Sequence, residues 1–132
     1  MNPRDLVDLA VAAAEHAYAP YSNYQVGAAL WMEDGRVFTG CNVENASYGL
    51  TNCAERTAVF KAVSEGAVKI KMIAIAGGRE GSPAFPCGAC RQVMSEFAEA
   101  ATPVLVATLD HPEQFQTLTM GGLLPHSFKL ER

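Results

Sequence analysis

The sequence predicts an α/β fold, one mixed sheet covered by helices, in a single domain over residues 1–132. Three observations predict it. Helical and strand patterns follow one another in the order αββαβαβ. A Glu33-Asp34-Gly35 turn joins the first two strands as a hairpin. Helices separate the strands that follow, and such connections run between parallel strands. The composition agrees: 49% hydrophobic against 18% charged residues excludes a disordered tail or a polar linker.

The elements follow in order. Asn2-Pro3-Arg4-Asp5 is a helix start, with a capping Asn, Pro at the first helical position and an acid in the first turn. Leu6, Leu9, Ala10, Ala13 and Ala17 follow at helical spacing, and Pro20 ends that helix. Residues 25–32 and 36–43 read as the two hairpin strands. A second helix runs from about Cys53 to Glu65, residues 69–76 read as a buried strand, and residues 77–86 as a Gly/Pro/Ser loop. Cys87 or Gly88 opens a third helix that carries Val93, Met94, Phe97 and Ala98 on one face. Residues 103–109 and 115–120 are the last strands, and a short helical turn spans 121–125.

Charge and cysteine usage narrow the function. The net charge of −4 offers no electrostatic footprint for a long phosphate backbone, so a small or neutral substrate fits better. Asp5, Asp8 and Glu15 flank or interrupt the N-terminal apolar stretch, which predicts neither a signal peptide nor a membrane span. In such a chain four cysteines point to metal or catalysis rather than disulfides. Cys41 lies in a strand with no partner pattern and reads as core, while His16, His111 and His126 stand apart from the motif segments.

Cys53 and Cys87 each open a helix, where backbone N–H groups and the macrodipole favour thiolate over thiol. Cys87 and Cys90 are one helical turn apart, so both sulfurs lie on one side. If the two helices begin side by side, Cys53 completes a three-sulfur cradle for one zinc ion. Three protein ligands leave a fourth position open, the mark of a catalytic site. Glu55, two residues after Cys53, is badly placed to ligate the same ion but well placed to exchange protons with a water there. Zn²⁺ with three thiolates carries an excess negative charge that Arg56 offsets through the sulfurs. The same residues have plainer readings. Asn52-x-x-Glu55 matches a helix capping box, and Cys87-x-x-Cys90 alone fits a redox pair or half of a structural zinc site.

Taken together, Cys53-Ala54-Glu55 and Pro86-Cys87-Gly88-Ala89-Cys90 resemble the signature of the zinc nucleoside deaminases. Ala19-Pro20-Tyr21-Ser22, Val26-Gly27-Ala28-Ala29, residues 40–46, Cys90-Arg91-Gln92 and Leu123-Leu124-Pro125 extend the likeness over most of the chain. The whole resembles the small, three-cysteine, homotetrameric members of the cytidine/deoxycytidylate deaminase family.

The resemblance implies a three-layer α-β-α sandwich around a mixed, roughly five-stranded sheet. It implies hydrolysis of cytidine and 2′-deoxycytidine to uridine and 2′-deoxyuridine with release of ammonia, in cytoplasmic pyrimidine salvage. Cys53, Cys87 and Cys90 would hold one zinc per chain, and Glu55 would shuttle protons between water, N3 and the leaving amine. Asn42 and Glu44 match the ribose-binding pair, and the Ala54 N–H the contact to the base carbonyl. Phe128 matches an aromatic that reaches the base from a neighbouring subunit, and Tyr48 and Ala46 match other contacts across that boundary. Tyr24 stands where the family usually has Phe; its ring still stacks on a pyrimidine, but a buried hydroxyl needs a partner.

The nearest rival is another small-molecule deaminase, such as a blasticidin S deaminase. A polynucleotide-editing enzyme is disfavoured by the scattered basic residues and by Cys rather than His as first ligand. A closed structural zinc module would need a fourth ligand, and a redox protein would leave Cys87 and Cys90 metal-free.

Overall fold

The structure, a computed structural model, describes residues 1–130. Helix α1 (Pro3–Ala14) begins as its sequence predicts. The Asn2 side chain accepts the Asp5 N–H, and the Asp5 carboxylate returns the bond to the Asn2 N–H. The helix ends at Ala14, well before Pro20, and its buried face is Leu6, Val7, Ala10, Ala13 and Ala14. Leu9 is exposed and Ala17 lies beyond the helix, so Val7 and Ala14 take their places in the apolar stripe, while Leu6, Ala10 and Ala13 stand as read. Val7 packs with Leu6 and Ala10 against Ala29, Ala74, Ala76, Leu105 and Ala107 of the sheet.

Strands β1 (Val26–Met32) and β2 (Val37–Cys41) form the antiparallel hairpin. Val43 falls outside β2 and bridges instead to Tyr18 and Asn52, which draws residues 42–44 towards the site. Cys41, the last residue of β2, is only half-buried and lies outside the core clusters, contrary to its reading as core. Helix α2 (Ala54–Ser64) leads to β3 (Ile70–Arg79), which pairs antiparallel with β1.

Residues 77–86 depart most from expectation. Strand β3 runs on to Arg79 and turns back into the short β4 (Ser82–Pro83), with Gly78 and Gly81 at positive φ. The Gly/Pro/Ser content reads as loop, yet Gly77 is held in register opposite Val26, so a neighbouring strand decided its conformation. Helix α3 (Gly88–Glu96) then crosses to β5 (Pro103–Ala107), parallel to β3, and β6 (Gln116–Thr119) returns antiparallel before the short α4 (Met120–Leu123).

The sheet order is β2-β1-β3-β5-β6, with β4 paired to the end of β3. Both crossovers, β2 to β3 and β3 to β5, progress in one direction across the sheet, so one connection hand sets α2 and α3 on the same face. That face carries the larger core, with Leu30, Ile73, Ile75, Val104 and Val106 from the sheet against Val59 and Met94. The opposite face is narrower: alanines 29, 74, 76 and 107 let α1 lie close. Three layers result.

Gly40 fixes how near α2 comes to the hairpin. A Cβ there would lie 2.5 Å from the Ala58 nitrogen and 2.7 Å from the Ala54 carbonyl oxygen, both backbone atoms of α2. Gly40→Ala is therefore expected to destabilise the chain by about 3 kcal/mol, lowering Tm by about 10 °C in a circular-dichroism melt. An unchanged Tm would show that α2 slides freely.

Candidate active site and metal centre

Cys53 is the N-cap of α2 and Cys87 the N-cap of α3, and the two helices start beside each other. The plain capping-box reading fails here. The cap is Cys53 rather than Asn52, with no side-chain cap bond, and the Asn52 amide donates to Thr57 Oγ1 at 3.3 Å instead. The Cys53 and Cys87 sulfurs are 3.9 Å apart, and Cys90 joins them with all three Sγ within 4.8 Å of one another. A tetrahedral zinc with Zn–S bonds of about 2.3 Å asks for sulfurs about 3.8 Å apart, so the donor set fits zinc in both type and spacing. Among the described residues no fourth His, Cys, Asp or Glu joins the group. Hydrogen bonding from Cys90 and Arg56 pulls Cys53 well below the usual thiol range, and the same contact with Cys53 drives Cys90 up.

Arg56 donates through Nη2 to the Cys53 sulfur at 3.4 Å, while its Nε is buried without a hydrogen-bond partner. The sulfurs, Cys53 foremost, hold its pKa above the ordinary guanidinium value. Its charge thus bears directly on a ligand sulfur. Arg56→Gln is expected to weaken the electron withdrawal at that sulfur and shift the acid limb of the pH–rate profile upward. A profile recorded from pH 5 to 9 that keeps its acid limb would refute this.

Glu55, in the first turn of α2, is 4% exposed. Burial pushes its carboxyl up to about 7, and the Cys53 charge adds to the effect. A cation among the sulfurs would oppose the Cys53 contribution but leave the burial. The group can therefore take and give a proton near neutrality.

A cavity of about 600 Å³ opens over these groups, lined by Cys53, Cys87, Glu55, Asn42, Glu44 and Tyr24 among others. Ala54 and Tyr48 also line it, whereas Cys90 is fully buried behind it. Ala46 and Phe128 do not line it; both are exposed, Phe128 in the tail. The Asn42 side chain is largely engaged: Oδ1 accepts the Val26 N–H at 2.9 Å and Nδ2 donates to the Tyr24 carbonyl at 2.8 Å. Six lining residues escaped the reading of the sequence as site residues: Ser22, Val26, Thr51, Pro83, Ala84 and Phe85. Ser22 lies in a segment noted only for its family likeness, and Phe85 lies in the stretch read as plain loop.

Residues 1–106 match the family model described as the cytidine and deoxycytidylate deaminase zinc-binding region. The chain belongs to that family. It is 51% identical over 131 residues to a cytidine deaminase of Halalkalibacterium halodurans, covering 99% of this chain and 97% of that protein. Its fold is similar to the crystal structure of cytidine deaminase from Burkholderia pseudomallei, with TM-score 0.90, 49% identity, and 97% and 100% of the two chains covered. The cytidine deaminase of Mycobacterium tuberculosis is also similar, at TM-score 0.82 and 43% identity over 98% and 99% of the chains. These likenesses accord with the α/β sandwich and with a zinc-binding deaminase, and Cys53, Cys87 and Cys90 are the group placed to bind the metal in this family member.

Proposed function

We propose that the chain, acting as one domain, hydrolyses cytidine and 2′-deoxycytidine to uridine and 2′-deoxyuridine with release of ammonia. One observation carries the reading: the buried Glu55 lines the same cavity as two sulfurs of the metal cluster and the polar pair Asn42 and Glu44. No Lys, Arg or His lines that cavity among the described residues, so it suits a neutral nucleoside rather than a phosphorylated one.

Cys53, Cys87 and Cys90 would hold zinc, which when bound supplies the Lewis acidity that makes water a nucleophile near neutral pH. Glu55 takes a proton from the attacking water and delivers it to N3 of the base as the new C4–O bond forms. It then carries the second water proton to the exocyclic amine, and the C4–N4 bond breaks to give ammonia. Water and cytidine thus balance uridine and ammonia. The Ala54 N–H, free at the start of α2, faces the base carbonyl in this reading. Asn42 and Glu44 engage sugar hydroxyls, and Tyr24 stacks on the pyrimidine.

Phe128, Tyr48 and Ala46 are assigned to contacts between subunits of a homotetramer. Their exposure supports this, at 67% for Phe128 and 62% for Tyr48. No helix of the described residues is long and apolar enough to cross a membrane; the cytoplasmic salvage role is proposed from the family likeness.

The test follows cytidine absorbance in the ultraviolet with purified protein, with ammonia and zinc measured on the same sample. Loss of cytidine with equimolar ammonia is expected. Bound zinc without cytidine turnover would redirect the assignment to other aminopyrimidines.

A further inference from the structure

Glu44 is a carboxylate at 4% exposure in a cavity that no cationic side chain lines among the described residues. A buried charge needs hydrogen bonds in place of water. Among the described residues, every hydrogen-bond partner of its carboxylate comes from the loop between α1 and β1. The N–H groups of Tyr21 and Ser22 donate to Oε1 at 3.0 and 3.1 Å, and the Ser22 hydroxyl donates to Oε2. Successive N–H groups of this kind form an anion-holding nest. The loop is closed by Asn23, at φ 57°, whose N–H donates to the Ala19 carbonyl at 2.9 Å. These bonds, the Ser22 hydroxyl foremost, hold the Glu44 carboxyl below its ordinary pKa and so keep it ionised.

The Ser22 hydroxyl cannot turn elsewhere. Its oxygen accepts the Tyr24 N–H at 3.0 Å, and its single proton is committed to Glu44. Tyr24 is in turn tied through its carbonyl to Asn42. Tyr24, Asn42 and Glu44 thus form one hydrogen-bonded unit with Ser22 as a link. An ionised carboxylate presents about four acceptor directions. Oε1 has two donors and Oε2 one, which leaves one acceptor position on Oε2 for a ligand in the cavity.

We propose that Ser22 is a positioning residue for sugar recognition: its hydroxyl orients Glu44 so that the remaining Oε2 acceptor meets a hydroxyl of the bound nucleoside. The proposal rests on the nucleoside reading above and extends it. The site then discriminates on the sugar as well as the base, because a substrate without the hydroxyl leaves a buried ionised acceptor unpaired.

The test compares wild type, Ser22→Ala and Ser22→Thr on cytidine and on 2′,3′-dideoxycytidine. Ser22→Ala is expected to raise KM for cytidine about 10-fold, the size of one hydrogen bond to a charged group, with kcat within about 2-fold. Its kcat/KM for dideoxycytidine should stay within about 2-fold, so the preference for the hydroxylated sugar collapses. Ser22→Thr, which keeps the hydroxyl, should restore that preference. A loss equal on both substrates, no change on cytidine, or no rescue by Thr overturns the proposal. If Ser22→Ala melts below the assay temperature, Ser22→Cys supplies the same comparison with a weaker donor. Wild type without cytidine turnover would sink the deaminase reading alone. The Ser22 role is then read by calorimetry, from the affinity ratio of cytidine to dideoxycytidine in wild type and Ser22→Ala. An unchanged ratio, or no binding of either ligand by wild type, overturns it.

Discussion

Glu55→Gln is expected to lower kcat on cytidine by about 10³-fold while the zinc content stays that of wild type. The reasoning starts from burial. At 4% exposure the carboxyl is pushed up to about 7, so near neutrality it exchanges a proton at little cost. Glutamine keeps the shape and the hydrogen-bonding edge but holds no labile proton, so both transfers lose their carrier. Zinc is retained because Glu55 is absent from the group whose donor atoms close on one another. Two readings check it: steady-state rates on cytidine and zinc by atomic absorption. Loss of zinc with loss of rate would make Glu55 part of the metal site. Full activity would remove it from the proton path.

Cys90→Ala is expected to strip the chain of zinc and abolish turnover. Cys90 is fully buried, and its sulfur completes the cluster behind the cavity. Alanine leaves two sulfurs, from Cys53 and Cys87, and a void where the third had been. A metal held at about 1,000 times its Kd contributes about 4 kcal/mol to the native state, and most of that is lost with it. Zinc analysis after dialysis against a chelator, with a thermal melt on the same sample, reads both effects. The sign with pH follows from the thiols. A thiol must lose its proton before its sulfur binds zinc, and the contact to Cys53 together with burial holds the Cys90 thiol above the usual range. Wild-type zinc affinity should therefore fall as pH falls, as protons compete for the sulfurs. Affinity that is flat across the acid range would contradict that competition.

The parts of the site legible in the sequence are those set by one helical turn. Cys87 and Cys90 at a spacing of three, Cys53 at a helix start and Glu55 two residues later need only local backbone geometry to be placed. The Asn2-Asp5 capping box is of the same kind. Likewise the hairpin of β1 and β2 announces itself in the Asp34-Gly35 turn, with Gly35 at positive φ. What could not be read depends on partners far along the chain. The Ser22–Glu44 bond spans 22 residues, and no periodicity signals a hydroxyl meeting a carboxylate at that distance. The same holds for Arg56, whose contact with Cys53 is local but whose unpartnered Nε follows from the surrounding packing. Val7 rather than Leu9 enters the core, packed with the alanines on the α1 face of the sheet, a placement that involves residues far along the chain.

Sequence by itself thus determined the metal donor group, the helix starts and the alternation of elements, since each rests on short-range stereochemistry and on residue type, and it singled out Glu55 for the proton role proposed above. Tertiary structure alone decided that two helix N-termini meet, that residues 77–79 continue β3, and that one loop clasps Glu44 beside the same cavity. Those outcomes are set by sheet order and by a close approach such as that at Gly40, where free energy depends on shapes brought together from distant segments.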